Sequence, residues 1–305
     1  MTPHARRPTI PPAERLASLK AREAVFAATV VLPLMCLLLI AGSIVIAPAA
    51  ERATVAWASL VALASGLAAS SIGVYGGVLV PGLLLLGVDA RFAAAASLFL
   101  QVLVIPLGAR AHIHLGNVKL RIAMPLIAGG ILGAFTGPFL GAALPKEAVA
   151  RVVAGLIVLV GILVLLTQRL GRLRKPLDPE QIPRTKLAGI GLLAGFSSGV
   201  SGAGWGPIGV KLLILSRIEP RDAVGSSLLG RVFMAASAVI GYLLSSSAFR
   251  DVHPNYWLLV PLFAGSIAAM IPGVFLVSKL KGPVAVIAIT LLSIALALPV
   301  LIRGH

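Results

Sequence analysis

Arg231 and Lys211 are the residues least at home in their surroundings. Both lie in apolar runs, and no Asp or Glu sits at comparable depth. Arg231 falls about 10 residues into the run 221–247, about 15 Å along a helix axis. A charge there costs at least about 2.5 kcal/mol on insertion scales, so it marks a functional hypothesis. A cation without a carboxylate partner in an apolar interior matches an anionic ligand. Lys211 lies about one turn past Pro207; it either faces the same site or snorkels to the cytoplasmic interface. Gln101 holds the corresponding depth in the run 91–110. Ser97, Ser226 and Ser227 lie in the same regions, with Ser70, Ser71, Ser197, Ser198 and Ser201 nearby. Hydroxyls can donate to an oxyanion or bond back to their own helix.

Two glycine-rich interruptions accompany these residues, "SGLAASSIGVYGGVLVPG" at 65–82 and "AGFSSGVSGAGWGPIG" at 194–209. Gly73, Gly76 and Gly77 in the first, and Gly202, Gly204 and Gly206 in the second, allow a sharp reversal and close approach of backbone to ligand. Amides at the start of a short helix converge on one point, and the helix dipole adds positive potential. Irregular backbone at membrane depth is tolerated only where protein or a wet cavity satisfies it. The competing reading is that these glycines serve helix packing alone. Tyr75 and Trp205, inside the two interruptions, are candidate gates, walls or packing residues.

The elements that must hold these residues are membrane helices. Of the 305 residues, 58% are hydrophobic and 12% charged, outside the range of soluble globular domains. Apolar runs fall at 25–48, 54–72, 76–87, 91–110, 119–143, 147–168, 186–203, 206–216, 221–247, 255–279 and 282–303. A helical crossing needs about 20 residues. The runs 76–87 and 206–216 are too short and read as return arms of broken hairpins. The first run is too long and too late for a signal-peptide core. Basic residues orient the spans. Arg6, Arg7, Arg15, Lys20 and Arg22 put the N-terminus in the cytoplasm, and the linker 169–185 falls on the same side. The C-terminus is then outside, in a cell inner membrane. Lys146 and Arg250 are the outer exceptions, each beside an acidic residue. The net charge of +16 therefore reads as topology, not as nucleic-acid binding.

The predicted organisation is a basic tail 1–24, an extra transmembrane helix 25–48, membrane repeat 1 at 54–168, the linker 169–185 and membrane repeat 2 at 186–303. Each repeat is a broken hairpin plus three spans; one begins outside and the other inside, so the fold class is all-α integral membrane with two inverted repeats. At an offset of 129, Gly66, Gly73, Gly77, Ala94 and Ser97 fall on Gly195, Gly202, Gly206, Ala223 and Ser226. At an offset of 136, "PLIAGGILGAFTG" at 125–137 falls on "PLFAGSIAAMIPG" at 261–273. Inverted repeats with paired broken helices mark secondary transporters, whose sites lie at the breaks. No nucleophile–base–acid set, P-loop or dinucleotide fingerprint is present, so neither an enzyme nor a cofactor is expected. The single Cys36 excludes disulfides within the chain, and His112 and His114 read as an interfacial loop rather than a metal site.

The chain resembles the TauE/SafE sulfite-exporter family over about 54–303. The resemblance rests on "SSIGVYGGVLVP" and "SGVSGAGWGPIG", on "AAAASLF" at 93–99 and "DAVGSSLL" at 222–229, and on "HLGNVKLRIAMPLIAGGILGAFTG" at 114–137. Tyr75 and Trp205 interrupt the family's triple glycine, which points to a smaller or differently tuned pocket. The resemblance implies movement of sulfite, sulfonates or other small sulfur-containing anions, mostly export; the residues alone imply a small anion. A membrane-embedded assembly or scaffold protein and a passive anion channel are the alternatives. Asp89, Glu219 and Asp222 lie near segment ends, so no buried carboxylate indicates the coupling ion. A homo-oligomer is compatible with the sequence.

Overall fold

The computed structural model describes residues 30–114, 116–170, 177–245, 256–279 and 282–303. The basic tail 1–24, linker residues 171–176, Arg250 and Lys281 lie outside them. Among the described residues every regular element is helical. The extra helix is α1 (Leu32–Ile46). The first half continues with α2 (Arg52–Ile72), α3 (Gly76–Leu85), α4 (Ala90–His114), α5 (Leu120–Ala143) and α6 (Lys146–Leu170). The second half has α7 (Arg184–Ser201), a π-turn (Trp205–Val210) running into α8 (Lys211–Leu215), then α9 (Pro220–Leu244), α10 (Leu259–Lys279) and α11 (Gly282–Arg303). Four stretches among the described residues are long and apolar enough to cross a membrane: Arg52–Ser70, Ala90–His114, Leu120–Ala143 and Pro220–Leu244. The chain is thus an all-helical membrane protein.

The two halves use the same local devices. Gly73 (φ +71°) ends α2 and Gly202 (φ +67°) ends α7, both in the left-handed region that stops a helix cheaply only at glycine. Each short arm then turns out through one hydrogen-bond pattern: Gly87 and Val88 amides donate to Leu84 and Leu83, and Arg217 and Ile218 amides donate to Ile214 and Leu213. The next helix starts after Asp89, whose carboxylate accepts the Arg91 amide at 2.8 Å, or after Glu219, with Pro220 in the first turn.

Small residues bring the halves together. A Cβ at Gly195 of α7 would strike the Gly130 carbonyl of α5; a Cβ at Gly66 of α2 would strike the Ser266 carbonyl of α10. A Cβ at Gly129 would meet the Ala188 carbonyl, and one at Gly265 the Ser59 carbonyl. Backbones this close exchange dispersion contacts that larger side chains would prevent. On the face predicted to be cytoplasmic, Arg121 pairs with Glu180 at 2.9 Å and the Leu177 amide donates to the Arg217 carbonyl at 2.8 Å. On the other face, Arg91 donates to the Leu144 carbonyl at 2.6 Å, joining the start of α4 to the end of α5. An apolar groove of about 750 Å³ lies beside α1, lined by Leu38, Leu39, Ile46, Val55, Trp257 and Val260 among others. Its lining suits hydrocarbon, not an anion.

Candidate functional site

The two breaks meet. A Cβ at Gly76, the first residue of α3, would collide with the Gly202 carbonyl; a Cβ at Gly206, in the π-turn, would collide with the Gly73 carbonyl. Each hinge carbonyl thus faces the start of the opposite short helical segment, where the helix dipole is positive. Gly77 is buried in the first turn of α3.

Each hinge carbonyl also accepts from a polar side chain of the other half. Ser97 donates to the Gly202 carbonyl at 2.8 Å. The Gln101 amide donates to the same carbonyl and to the Ser97 hydroxyl, both at 3.1 Å. The Gly73 carbonyl accepts from Nη2 of Arg231. The two hinge bonds give Gln101 and Arg231 matching roles. From Tyr75 and Trp205 onward the correspondence is 130 residues, pairing Gly76 with Gly206, Ser97 with Ser227 and Gln101 with Arg231. The extra residue lies in the break: Val74 alone separates Gly73 from Tyr75, whereas Ala203 and Gly204 separate Gly202 from Trp205. The hinge glycines themselves are 129 residues apart, and the pairs after them 130.

The aromatics are anchored. Trp205 is 1% exposed, and its indole N–H donates to the Ser227 carbonyl at 2.9 Å. Its ring fills the space where a Cβ at Gly130 or Gly230 would lie. Tyr75 is fully buried, with its hydroxyl 2.7 Å from that of Ser266. Ser266 stands 136 residues after Gly130, so each aromatic docks on the corresponding position of the opposite half. Both polar tips have partners.

Arg231 is 1% exposed. One nitrogen holds Gly73; Nε and Nη1 have no hydrogen-bond partner among the described residues. Guanidinium carries five donors in a planar fork, so one complete two-donor edge is left after the Gly73 bond is made. Its charge meets no carboxylate: the one ion pair found among the described residues is Arg121–Glu180. Ser197, Ser198 and Ser227 have buried hydroxyls without partners. Lys211 is 8% exposed and follows Val210, whose side chain lies against Gly73. Protein encloses it.

Other expected residues sit elsewhere or are spent. Ser226 accepts the Lys119 amide at 3.0 Å, beside the start of α5. Ser70 and Ser201 bond back to Leu67 and Ser197; the Ser71 side chain lies outside the described residues. His112 contacts Asn117 at 3.3 Å, and His114 is exposed. The roles of the Gly73 and Gly202 carbonyls were not legible in advance, because backbone acceptors leave no mark in composition.

Apolar helices, two breaks in contact and a buried cation at that contact belong to a membrane transporter, not to an enzyme. The chain belongs to the sulfite exporter TauE/SafE family, whose model matches residues 58–300. It is 30% identical over 226 residues to the probable membrane transporter protein YtnM of Bacillus subtilis (strain 168), covering 72% of this chain and 74% of that protein. It is 29% identical over 170 residues to the probable membrane transporter protein YdhB of the same organism, covering 54% of this chain and 66% of that protein. No solved structure gives a significant match.

Proposed function

We propose that the chain is a secondary transporter that exports sulfite, an organosulfonate or a related small sulfur-containing anion across the cytoplasmic membrane. Two inverted repeats rock about a central site, with the N-terminus inside and the C-terminus outside. The observation that carries this reading is Arg231, a buried cation at the contact of the two breaks with Nε and Nη1 unpartnered. Support for the repeats comes from the corresponding hinge glycines, aromatic anchors and carbonyl donors of the two halves. Support for the substrate class comes from the family. Arg231 supplies the main charge, Lys211 adds a second, and Gly76, Gly77, Gly204 and Gly206 keep the backbone close. Ser97 and Gln101 hold the Gly202 hinge, while Tyr75 and Trp205 wall the site.

A ligand that prefers the folded state raises apparent stability by mass action. The purified full chain is therefore expected to melt at a higher temperature with one or more of sulfite, thiosulfate, sulfoacetate, taurine and sulfate, in a concentration-dependent way. No shift with any of them at millimolar concentration contradicts the reading.

A further inference from the structure

Resting on that transporter reading, we infer that the anion's hydrogen-bonding side chains come from the second half alone, with Ser197 and Ser227 completing the Arg231 site. In the first half, Ser97 and Gln101 have already given their donors to the Gly202 carbonyl. The break residues Gly204, Trp205 and Gly206 meet three polar residues in turn. A Cβ at Gly204 would overlap the Ser197 hydroxyl, the Trp205 indole rests on the Ser227 carbonyl, and a Cβ at Gly206 would overlap Nη2 of Arg231. Ser227 and Arg231 are one helical turn apart on α9, so their side chains share a face.

The two halves differ at these positions in a directed way. Ser97 and Gln101 both spend donors on the Gly202 carbonyl. Their counterparts are Ser227 and Arg231, and there Arg231 alone holds the Gly73 carbonyl. That frees the Ser227 hydroxyl, which is buried and without a partner. Ser197 corresponds to Ala68 at the offset of 129 that holds before the break. The first half thus packs an alanine where the second buries a hydroxyl with no acceptor or donor. An unsatisfied buried hydroxyl costs stability that alanine does not, and a ligand that accepts its proton removes the cost. Ser198 lies about 100° further around α7 than Ser197, and a Cβ at Gly204 would meet Ser197. An oxyanion with at least two acceptor oxygens can take the free guanidinium edge and both hydroxyls together.

The test is the Ser197→Ala and Ser227→Ala variants, singly and combined, with Ser237→Ala as control. Ser237 lies on α9 too, but its hydroxyl is spent on the Ile131 carbonyl at 2.9 Å. Melting temperature without anion and affinity for the most stabilising anion of the panel above are measured for each. Each site variant is expected to melt at or above the wild-type temperature without anion. Each should bind the anion about tenfold more weakly, and the pair about a hundredfold. Ser237→Ala should melt lower and keep its affinity. Wild-type affinity in the double variant, or a lowered melting temperature with unchanged affinity, overturns the inference while the transporter reading stands. If no anion stabilises the wild type, both fall.

Discussion

Arg231 closes the first hinge through Nη2 and keeps Nε and Nη1 without partners among the described residues. In the proposed transporter that remaining fork takes the anion. Gln101, its counterpart in the first half, does the hinge task with a neutral amide. The sequence pointed to both residues by depth, and it grouped both with the substrate. It could not separate them, because the separating fact is which backbone carbonyl each one meets. Trp205 is an indole set between two glycines, Gly204 and Gly206. It is held by one hydrogen bond to Ser227 and by a slot that only Gly130 and Gly230 leave open. Trp205→Phe keeps a ring in the slot but removes the indole donor, leaving the Ser227 carbonyl only its hydrogen bond within α9. Thermal or denaturant unfolding should show a loss of about 0.5–1.5 kcal/mol; a variant as stable as the wild type argues against the anchor.

Helices and breaks were legible because length, hydropathy and glycine runs are local signals. The helix pairings were less so. Leucine and alanine runs match themselves at neighbouring offsets, so offsets of 129 and 130 are hard to tell apart in the sequence. Backbone contact explains why particular glycines are needed. Gly195→Ala and Gly66→Ala each gain up to about 1 kcal/mol of helix propensity. The new methyl, however, must displace backbone of α5 or α10, and overpacking of this kind costs about 1–3 kcal/mol. Gly189, on the same helix as Gly195, faces open space. Gly195→Ala and Gly66→Ala should therefore unfold more easily than wild type, and Gly189→Ala should not. Equal effects at all three positions contradict the packing described for α5–α7 and α2–α10.

At the scale of the molecule, polar contacts gather at two opposite ends of the bundle: Arg121, Glu180, Leu177 and Arg217 at one, and Arg91 with Leu144 at the other. Between these ends the two hairpins touch at their breaks, and the free cation lies at that point. The central claim is that its charge carries an anion across. Arg231→Gln tests it cleanly, since glutamine can hold the Gly73 carbonyl as Gln101 holds that of Gly202, while the charge is gone. The decisive measurement is sulfite flux in proteoliposomes with wild-type and Arg231→Gln protein. Saturable flux in the wild type, reduced at least about tenfold in the variant, is the predicted result. A scaffold moves nothing, and a passive channel shows no saturation; either outcome, or full flux in a folded Arg231→Gln variant, contradicts the account.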